Sequence, residues 1–294
     1  MAADALADTA SNTPPAVSIA GRVAVVTGGG RGMGRGIARA LAGAGARVAV
    51  VARSQAQLAE TERLISETGG EAAAFEADVS RPESVASLKQ SIERGLGAPT
   101  ILVNAAGVFG PISLIKDSDP NEWIQTLMVD AVAPYLTSRA FAEGMIAAGW
   151  GRIVNITSAA SLHPPGPLNS AYATAKVALN QLTRHLAAEL AGTGVTANVI
   201  HPGDVKTDMW ADIRDKVEQM GPEAEAYRQW VRWVDETGGD PPEKAADLVL
   251  RIVTGPEVSG RFLWVEDPLQ PPIPSWDDPG SGEQPWKKSD VEER

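Results

Sequence analysis

The chain has 294 residues, of which 44% are hydrophobic and 21% are charged, and this composition excludes disorder as the dominant state. A net charge of -11 argues against nonspecific binding to nucleic acid or to an anionic membrane, because both need a basic surface. The sequence has no cysteine, which removes disulfides, thiol nucleophiles and thiolate metal sites. We therefore expect a small-molecule partner, with no nucleic acid and no membrane.

The N-terminal stretch, residues 1–20, contains neither a basic start nor an apolar run of signal length. We expect it to form a flexible leader before the first strand, and we expect the protein to stay in the cytoplasm. The three histidines, His163, His185 and His201, lack the spacing of a zinc site, so no metal is predicted. His185 is expected on a helix surface and the other two in loops.

Between residues 21 and 268, short β-branched runs alternate with longer stretches rich in alanine and leucine, which is typical of a parallel sheet covered by helices on both faces. The predicted strands are RVAVVTG, RVAVVAR, AAAFEAD, TILVNAAG, GRIVNITS, VTANVIHPG and GRFLWVED. Helices are predicted near residues 33–43, 55–68, 82–95, 120–148, 170–191 and 243–253. No linker divides this stretch, so we expect a single α/β domain with a doubly wound, Rossmann-type parallel sheet.

Two segments depart from the alternation. Residues 206–240 carry several aromatic residues among charged ones: Trp210, Tyr227, Trp230 and Trp233. These aromatics could be ordinary helix core; alternatively the segment is a lid over a substrate pocket, because it follows the carboxyl end of a strand, where ligands bind in open α/β sheets. Residues 269–294 are rich in proline, glycine and charge, and are predicted to form an irregular tail.

A glycine-rich turn follows the first predicted strand, in VAVVTGGGRGMGRGIARAL. Glycines allow positive φ and a close approach of the backbone, while the exposed amides and the dipole of the following helix attract an anion. The spacing of Gly28, Gly32 and Gly34 departs from the G-x-G-x-x-G fingerprint, and a merely structural loop is the alternative. Its place after the first strand favours a phosphate-binding turn.

Tyr172 and Lys176 lie four residues apart, so a helix would place the phenol and the ammonium on one face. A tyrosine titrates near pH 10, and using it near pH 7 requires a pKa shift of about 3 units, or roughly 4 kcal/mol. A close ammonium would lower the pKa in this way. Taken alone, the pair could also be a core aromatic residue beside a solvated charge.

Over about residues 20–265 the chain resembles the short-chain dehydrogenase/reductase family, which carries five motifs in the same order. The nucleotide turn T-G-x-x-x-G-x-G is matched by Thr27, Gly28, Gly32 and Gly34. The other matches are Asn104-Ala105-Ala106-Gly107, Ser158, Tyr172-x-x-x-Lys176, and Pro202-Gly203 with Val205 and Thr207. Each motif is loose alone, but five in order make a chance match improbable.

The resemblance implies an oxidoreductase that interconverts a ketone or aldehyde and an alcohol by hydride transfer. Tyr172 would exchange a proton with the substrate oxygen, Lys176 would lower the pKa of that phenol and bind the nicotinamide ribose, and Ser158 would hold the substrate oxygen. Family members commonly carry an asparagine where this chain has Asp130, seven residues after Trp123. Either Asp130 takes part in a rearranged proton relay, or it pairs with Lys176.

Cofactor choice depends on the end of the second strand, where relatives that prefer NAD usually carry an acidic residue. Here Ala52 takes that place, Arg53 follows it, and Arg31 lies in the glycine turn. Two guanidiniums could clamp a 2′-phosphate, so NADP (NADPH) is expected in preference to NAD. The resemblance implies further cofactor contacts from Gly28, Gly30, Gly32, Met33, Gly34, Asp78, Val79, Asn104, Ala105, Gly107, Tyr172, Lys176, Pro202, Gly203, Val205 and Thr207.

The substrate walls are expected to include Phe109, His163, Met209 and Trp210, which suggests an apolar carbonyl compound or the corresponding alcohol. One alternative is a 3-oxoacyl carrier-protein reductase, which would need basic residues to dock an acidic carrier. Another is a non-catalytic dinucleotide sensor, which often loses the acid and base residues. The resemblance also implies a homo-oligomer, a dimer or tetramer, formed through the helices at 120–148 and 170–191.

Overall fold

The computed structural model describes residues 17–162, 166–265 and 273. Within these residues, seven parallel strands form one sheet in the order β3-β2-β1-β4-β5-β6-β7. The strands are β1 (Val23–Thr27), β2 (Arg47–Ala52), β3 (Glu71–Glu76), β4 (Pro99–Asn104), β5 (Gly151–Ile156), β6 (Val195–His201) and β7 (Phe262–Trp264). Every predicted strand run overlaps one of them, with β3 and β4 beginning one residue earlier than predicted, and the doubly wound α/β fold is confirmed.

Helices cover both faces of this sheet. They are α1 (Gly32–Gly43), α2 (Gln55–Ser66), α3 (Pro82–Gly95), α4 (Pro120–Leu127), α5 (Ala133–Ala147), α6 (Ser170–Glu189), α7 (Asp208–Val217), α8 (Glu225–Thr237) and α9 (Pro242–Thr254). Helices α1, α2 and α9 pack on one face of the sheet, and α3, α5 and α6 pack on the other. None of the helices in the described ranges is long and apolar enough to cross a bilayer.

The central strands are buried along their whole length, which explains why their sequences are apolar runs rather than alternating patterns. All positions of β1, β4 and β5 are buried. Each fully buried valine, leucine or isoleucine contributes roughly 1.5–3 kcal/mol relative to an exposed one. Strand β3 lies at the edge of the sheet, is only partly buried and carries glutamates at both ends, as suits an edge strand.

The order of the strands reverses beside β1, which pairs with β2 on one side and with β4 on the other. In open α/β sheets this reversal leaves a crevice at the carboxyl ends of the strands, because the following connections leave in opposite directions. The glycine turn after β1 and the Asn104 segment after β4 both lie at that crevice.

The helix predicted at 120–148 is interrupted by a π-helical segment, Met128–Val132, which lies between α4 and α5. Pro134 is the physical reason, because it has no N–H to donate to the carbonyl of Asp130 four residues earlier. The wider turn absorbs the missing bond. Such π segments often occur at functional sites, and this one turns Asp130 into the protein interior.

The ends of the domain differ from the sequence prediction. Residues 17–20, assigned to the leader, pack on the domain: the Val17 N–H donates to the Thr254 carbonyl at 2.6 Å, and Ile19 is 1% exposed in the core. Ile273, assigned to the irregular tail, is also buried against Phe262, because its apolar side chain covers the end of the sheet. The remaining leader and tail residues lie outside the described residues.

Candidate active site

The glycine turn is built so that the chain can pass close to itself. Gly28 has φ +67°, and a Cβ at this residue would lie 2.8 Å from the backbone of Ala105 and Ala106. A Cβ on Gly34 would collide with the Gly28 carbonyl, and Gly32 begins α1 with φ +52°. The turn therefore requires glycine for steric reasons, and it presents the N-terminus of α1 to the crevice, where a phosphate is favoured.

A cleft of about 520 Å³ runs along the carboxyl ends of the strands. The predicted site residues that line it are Gly28, Gly30, Arg31, Gly32, Met33, Gly34, Arg53, Asp78, Val79, Ala105, Gly107, Asp130, Tyr172, Lys176, Pro202, Thr207 and Met209. Those that do not line it are Asn104, Ser158, Gly203, Val205, Phe109 and Trp210. His163 lies outside the described residues. The cleft thus brings together most of the predicted cofactor contacts.

Arg31 and Arg53, the two predicted arginines, line the end of the cleft beside β2. The last residue of β2 is Ala52, so this strand supplies no carboxylate there. Arg31 pairs with Asp208, the first residue of α7, at 2.7 Å. The Asp78 carboxylate accepts hydrogen bonds from the backbone and the hydroxyl of Ser80. Burial opposes ionisation of Asp78, but these bonds and the charge of Arg53 hold its pKa below the usual value.

Helix α6 carries Tyr172 and Lys176 on the face that meets the end of β5. The Ser158 side chain lies beside the Tyr172 hydroxyl and acts to lower the pKa of that phenol. The Nζ of Lys176 lies 5.3 Å from the centre of the Tyr172 ring and donates to the Ile156 carbonyl at 3.0 Å. Ser158 also accepts a hydrogen bond from the Ala160 N–H at 3.2 Å. The serine therefore caps a local turn and contacts the tyrosine.

Asp130 forms an ion pair with Lys176, which is the second of the two arrangements considered for it. Its Oδ2 lies 3.0 Å from the lysine Nζ, and the two side chains are 0% and 5% exposed. Its Oδ1 accepts a hydrogen bond from the Val108 N–H at 2.9 Å. Burial raises the pKa of Asp130. Burial acts to lower the pKa of Lys176, but the charges of Asp130 and Tyr172 outweigh it and raise that pKa, so the lysine keeps its proton.

Lys176 acts on Tyr172 in the expected direction, but the net pKa shift of the phenol is upward. Burial raises the pKa of Tyr172 above its usual value, and although the charge of Lys176 acts to lower it, Asp130 and Asp204 act in the opposite direction. The main physical reason is burial of the phenol, and Asp130, which is paired with Lys176, offsets part of the effect of the ammonium. The sequence spacing showed the attractive partner but not the carboxylate beside it.

A chain of buried amides and hydroxyls supports this wall of the site. Asn104 donates to Asn155 at 2.8 Å and accepts from Thr137 at 2.7 Å, and Asn155 donates to Thr183 at 2.8 Å. The chain ties α5, β4, β5 and α6 together, so it fixes the helix that carries Tyr172. Sequence analysis singled out Asn104 but missed Asn155, which follows the same pattern of a buried strand with a polar residue near its carboxyl end.

Aromatic side chains fill the space beyond Tyr172. Phe109 stacks on the Tyr172 ring with centroids 4.8 Å apart, and Tyr227 of α8 meets the edge of Phe109 at 6.0 Å. Trp230 packs on Tyr227 at 6.4 Å and donates its indole N–H to Asp204 at 3.0 Å. These residues belong to a cluster separate from the two cores beside the sheet. The segment 206–240 thus supplies helix core and contacts Phe109, which stacks on the tyrosine.

Met209 and Trp210 were both expected to face substrate, but only Met209 lines the cleft. Trp210 is buried in the aromatic cluster because α7 turns it toward α8, while Lys206 and Arg214 lie over its ring. Thr207 begins this helix by accepting a hydrogen bond from the Trp210 N–H at 3.4 Å. Trp210 therefore packs in the hydrophobic core of segment 206–240 and does not form part of the cleft wall.

His201 was expected in a loop but is the last residue of β6. It is buried, and its Nδ1 accepts a hydrogen bond from the Ala159 N–H at 3.3 Å, which places it beneath the turn that carries Ser158. Burial lowers the pKa of His201 to about 4, so the ring is neutral at physiological pH. In the described part of the chain, no group of acidic residues and histidines has the arrangement of a metal site.

Comparison with known proteins agrees with this geometry. A family model for short chain dehydrogenases matches residues 22–218. A short chain dehydrogenase of Pseudocercospora fijiensis is 31% identical over 268 residues, which cover 89% of this chain and 85% of that protein. A 3-oxoacyl-[acyl-carrier-protein] reductase of Pseudomonas aeruginosa is 37% identical over 198 residues, covering 67% of this chain and 79% of that protein.

A solved metagenomic short-chain oxidoreductase in complex with NADP shares 34% identity, with a TM-score of 0.66, over 81% of this chain and 93% of its own. The matched region contains the glycine turn, the Ser158 turn and the helix of Tyr172 and Lys176. Sequence similarity, fold and site geometry thus lead to one assignment. The chain belongs to the short-chain dehydrogenase/reductase family and is an oxidoreductase.

Proposed function

We propose that this oxidoreductase uses NADP(H) to interconvert a ketone or aldehyde and an alcohol. The observation that carries the proposal is the placement of Tyr172 beside Ser158 and Lys176, where the cleft ends. The glycine turn, whose close contacts leave no room for a Cβ, fits the phosphates of a dinucleotide. When bound, the cofactor would supply the hydride.

In the reductive direction, the Tyr172 O–H donates its proton to the substrate carbonyl oxygen as the hydride reaches the carbonyl carbon. The Ser158 hydroxyl donates a hydrogen bond to the same oxygen, which stabilises the negative charge that develops there. Lys176 stabilises the phenolate left on Tyr172 and is positioned to bind the nicotinamide ribose. The phenolate then takes a proton from water, and oxidation of an alcohol follows the same steps in reverse.

The preference for NADP is supported by Arg31 and Arg53, which line the cleft where Ala52 replaces an acidic residue. Their guanidiniums can bind a 2′-phosphate through charge-assisted hydrogen bonds. The NADP complex of the metagenomic relative is consistent with this choice. Turnover should be compared with NADPH and NADH at equal concentrations, and a clear preference for NADH would contradict the proposal.

The aromatic cluster supports an apolar substrate, because Phe109 stacks on Tyr172 and Tyr227 packs on the edge of Phe109. We assign residues 206–240 as the lid of this pocket. The 3-oxoacyl reductase alternative is favoured by the Pseudomonas aeruginosa relative, but the net charge of -11 disfavours docking of an acidic carrier. A panel of ketones, aldehydes and a carrier-bound 3-oxoacyl thioester, assayed with NADPH, separates the two.

The function is tested by Tyr172→Phe, which removes only the hydroxyl. We expect turnover of the best substrate in the panel to fall by about 10²- to 10⁴-fold, because proton transfer by a positioned side chain contributes about that much. Binding of NADPH, followed by its fluorescence, should remain. A variant that keeps its turnover would refute the role of Tyr172, and a chain that binds NADPH but reduces none of the compounds would favour the sensor alternative.

Self-association is supported by apolar side chains exposed on the helices that the resemblance assigns to an interface. Ile124 of α4, Tyr135 of α5 and Val177 of α6 are each about half exposed, at 55%, 47% and 47%. Covering them with a second copy would remove apolar surface from water. Sedimentation should give a dimer or tetramer, and Val177→Glu should shift it toward the monomer.

A further inference from the structure

The carboxylate of Asp130 is buried against the ammonium of Lys176. We propose that Asp130 is a positioning residue that offsets the charge of Lys176, keeps Tyr172 in its protonated form and so favours carbonyl reduction over alcohol oxidation near neutral pH. This inference rests on the proposed function of the same site. It concerns a property that Tyr172 and Lys176 do not themselves determine.

The first step is the geometry of the ion pair. The Oδ2 of Asp130 lies 3.0 Å from the Nζ of Lys176, and both side chains are almost fully buried. Charges at this distance interact strongly in a protein interior, since little water screens them. The Val108 N–H holds the carboxylate through Oδ1, and the Ile156 carbonyl holds the ammonium. The pair is therefore fixed from both sides.

The second step is the set of charges around the Tyr172 hydroxyl. Among the described residues, the titratable groups acting on it are Lys176 from its own helix, Asp130 from the π segment, Asp204 from the loop after β6, and Tyr227 from α8. One ammonium thus faces two carboxylates, and Tyr227 is a partly buried neutral phenol. With Asp130 present, the surroundings disfavour a second negative charge on Tyr172. A neutral residue at position 130 would leave one ammonium against one carboxylate.

The third step is the chemistry of each direction. Reduction uses the Tyr172 O–H bond, whose proton goes to the substrate oxygen; a bound reduced nicotinamide would supply the hydride for the carbon. Oxidation needs the phenolate, which accepts the proton of the alcohol; a bound oxidised nicotinamide would take up the hydride. A phenol that resists ionisation therefore sustains reduction to higher pH and delays oxidation. The overall equilibrium is unchanged, because it depends only on the substrates and the cofactor.

The experiment is a tyrosinate titration of the wild type and Asp130→Asn by ultraviolet difference absorbance, each compared with its Tyr172→Phe counterpart. The amide retains an oxygen for the Val108 N–H but removes the charge. We expect the signal that depends on Tyr172 to move to lower pH by at least about one unit in the amide variant. Glu143→Gln is the matched control, since Glu143 is an exposed carboxylate on the adjoining helix and should leave the midpoint unchanged.

A second readout is the pH profile of turnover in both directions. At neutral pH, Asp130→Asn should oxidise alcohol at least about tenfold faster, because the phenolate fraction rises tenfold per unit of pKa. If the amide variant does not bind NADP, Asp130→Ser is titrated instead. An unmoved tyrosinate midpoint in the folded variant overturns the inference. A shifted midpoint without turnover of any carbonyl compound would instead refute the proposed function while leaving the electrostatic inference intact.

Discussion

The guanidinium of Arg31 and the carboxylate of Asp208 join the glycine turn to the first turn of α7 at 2.7 Å, across the mouth of the cleft. Both residues line that cleft, and their side chains are 58% and 67% exposed. Arg31 is also the residue proposed to bind a 2′-phosphate. The phosphate and Asp208 therefore compete for one guanidinium, and the cofactor must displace the carboxylate or share the arginine with it.

Asp208→Asn should strengthen the binding of NADPH by about two- to fivefold, because an exposed ion pair is worth at most about 1 kcal/mol. Binding of NADH should change little, since it has no 2′-phosphate. Calorimetric titration with both cofactors measures this. Asp215→Asn is a suitable control, because Asp215 lies on the same helix and pairs with Arg214. Equal gains for NADPH and NADH would show that Asp208 acts only through general charge.

Asn155→Leu should destabilise the fold by about 3 kcal/mol, because the buried Asn104 amide N–H loses its acceptor and the buried Thr183 hydroxyl oxygen loses its donor. Each unpaired buried group costs about 1–3 kcal/mol. Urea unfolding at neutral pH measures the loss. The contrasting substitution Asn121→Leu removes an exposed asparagine from the start of α4, and its effect should be several times smaller. A comparable loss in both variants would argue against the buried chain as the cause.

Phe109→Leu should lower kcat for carbonyl reduction by about three- to tenfold. The substitution keeps an apolar side chain but removes the stacked contact with Tyr172, and such contacts are worth about 0.5–1.5 kcal/mol. We expect kcat to fall because the Tyr172 ring, without the stacked phenyl ring, spends less time in the orientation needed for proton transfer. NADPH binding should be unaffected, since Phe109 does not line the cleft. An unchanged kcat would mean that Ser158 alone orients the tyrosine.

The parts of the site that depend on local pattern were predictable from sequence. Steric demand fixes glycine at positions 28 and 34, and the four-residue spacing of Tyr172 and Lys176 survives in α6 because a helix conserves it. These features depend on residues that are close in sequence, so they can be recognised from the sequence alone.

The parts that depend on distant neighbours were not predictable. The direction of the Tyr172 pKa shift follows from burial and from which carboxylate lies against Lys176, and neither is visible in one helix. Arg31 gives no indication in sequence that its partner is Asp208, 177 residues away. His201 was misplaced because the His-Pro-Gly that ends β6 has the composition of a loop, although the sheet buries the histidine.

His201 should make the protein less stable as pH falls from about 6.5 toward 4. Burial lowers its folded pKa to about 4, opposed only in part by Asp240, whereas an unfolded histidine titrates near about 6.5. Between these values the unfolded chain binds more protons than the folded one, so acidification favours unfolding. From about pH 7.5 to about pH 5 the loss from this one residue is about 2 kcal/mol.

Urea unfolding at both pH values should show that loss in the wild type and not in His201→Phe, which keeps an aromatic ring against Trp264 but cannot be protonated. The variant should be less stable at neutral pH, because the Ala159 N–H loses its acceptor, and the gap to the wild type should narrow on acidification. His185→Gln provides the comparison, since His185 is exposed on α6 and should leave the pH dependence intact. If the difference in stability between the two proteins stays constant with pH, His201 has the same pKa in the folded and unfolded states. That result would contradict the assignment of a neutral His201 ring beneath the Ser158 turn.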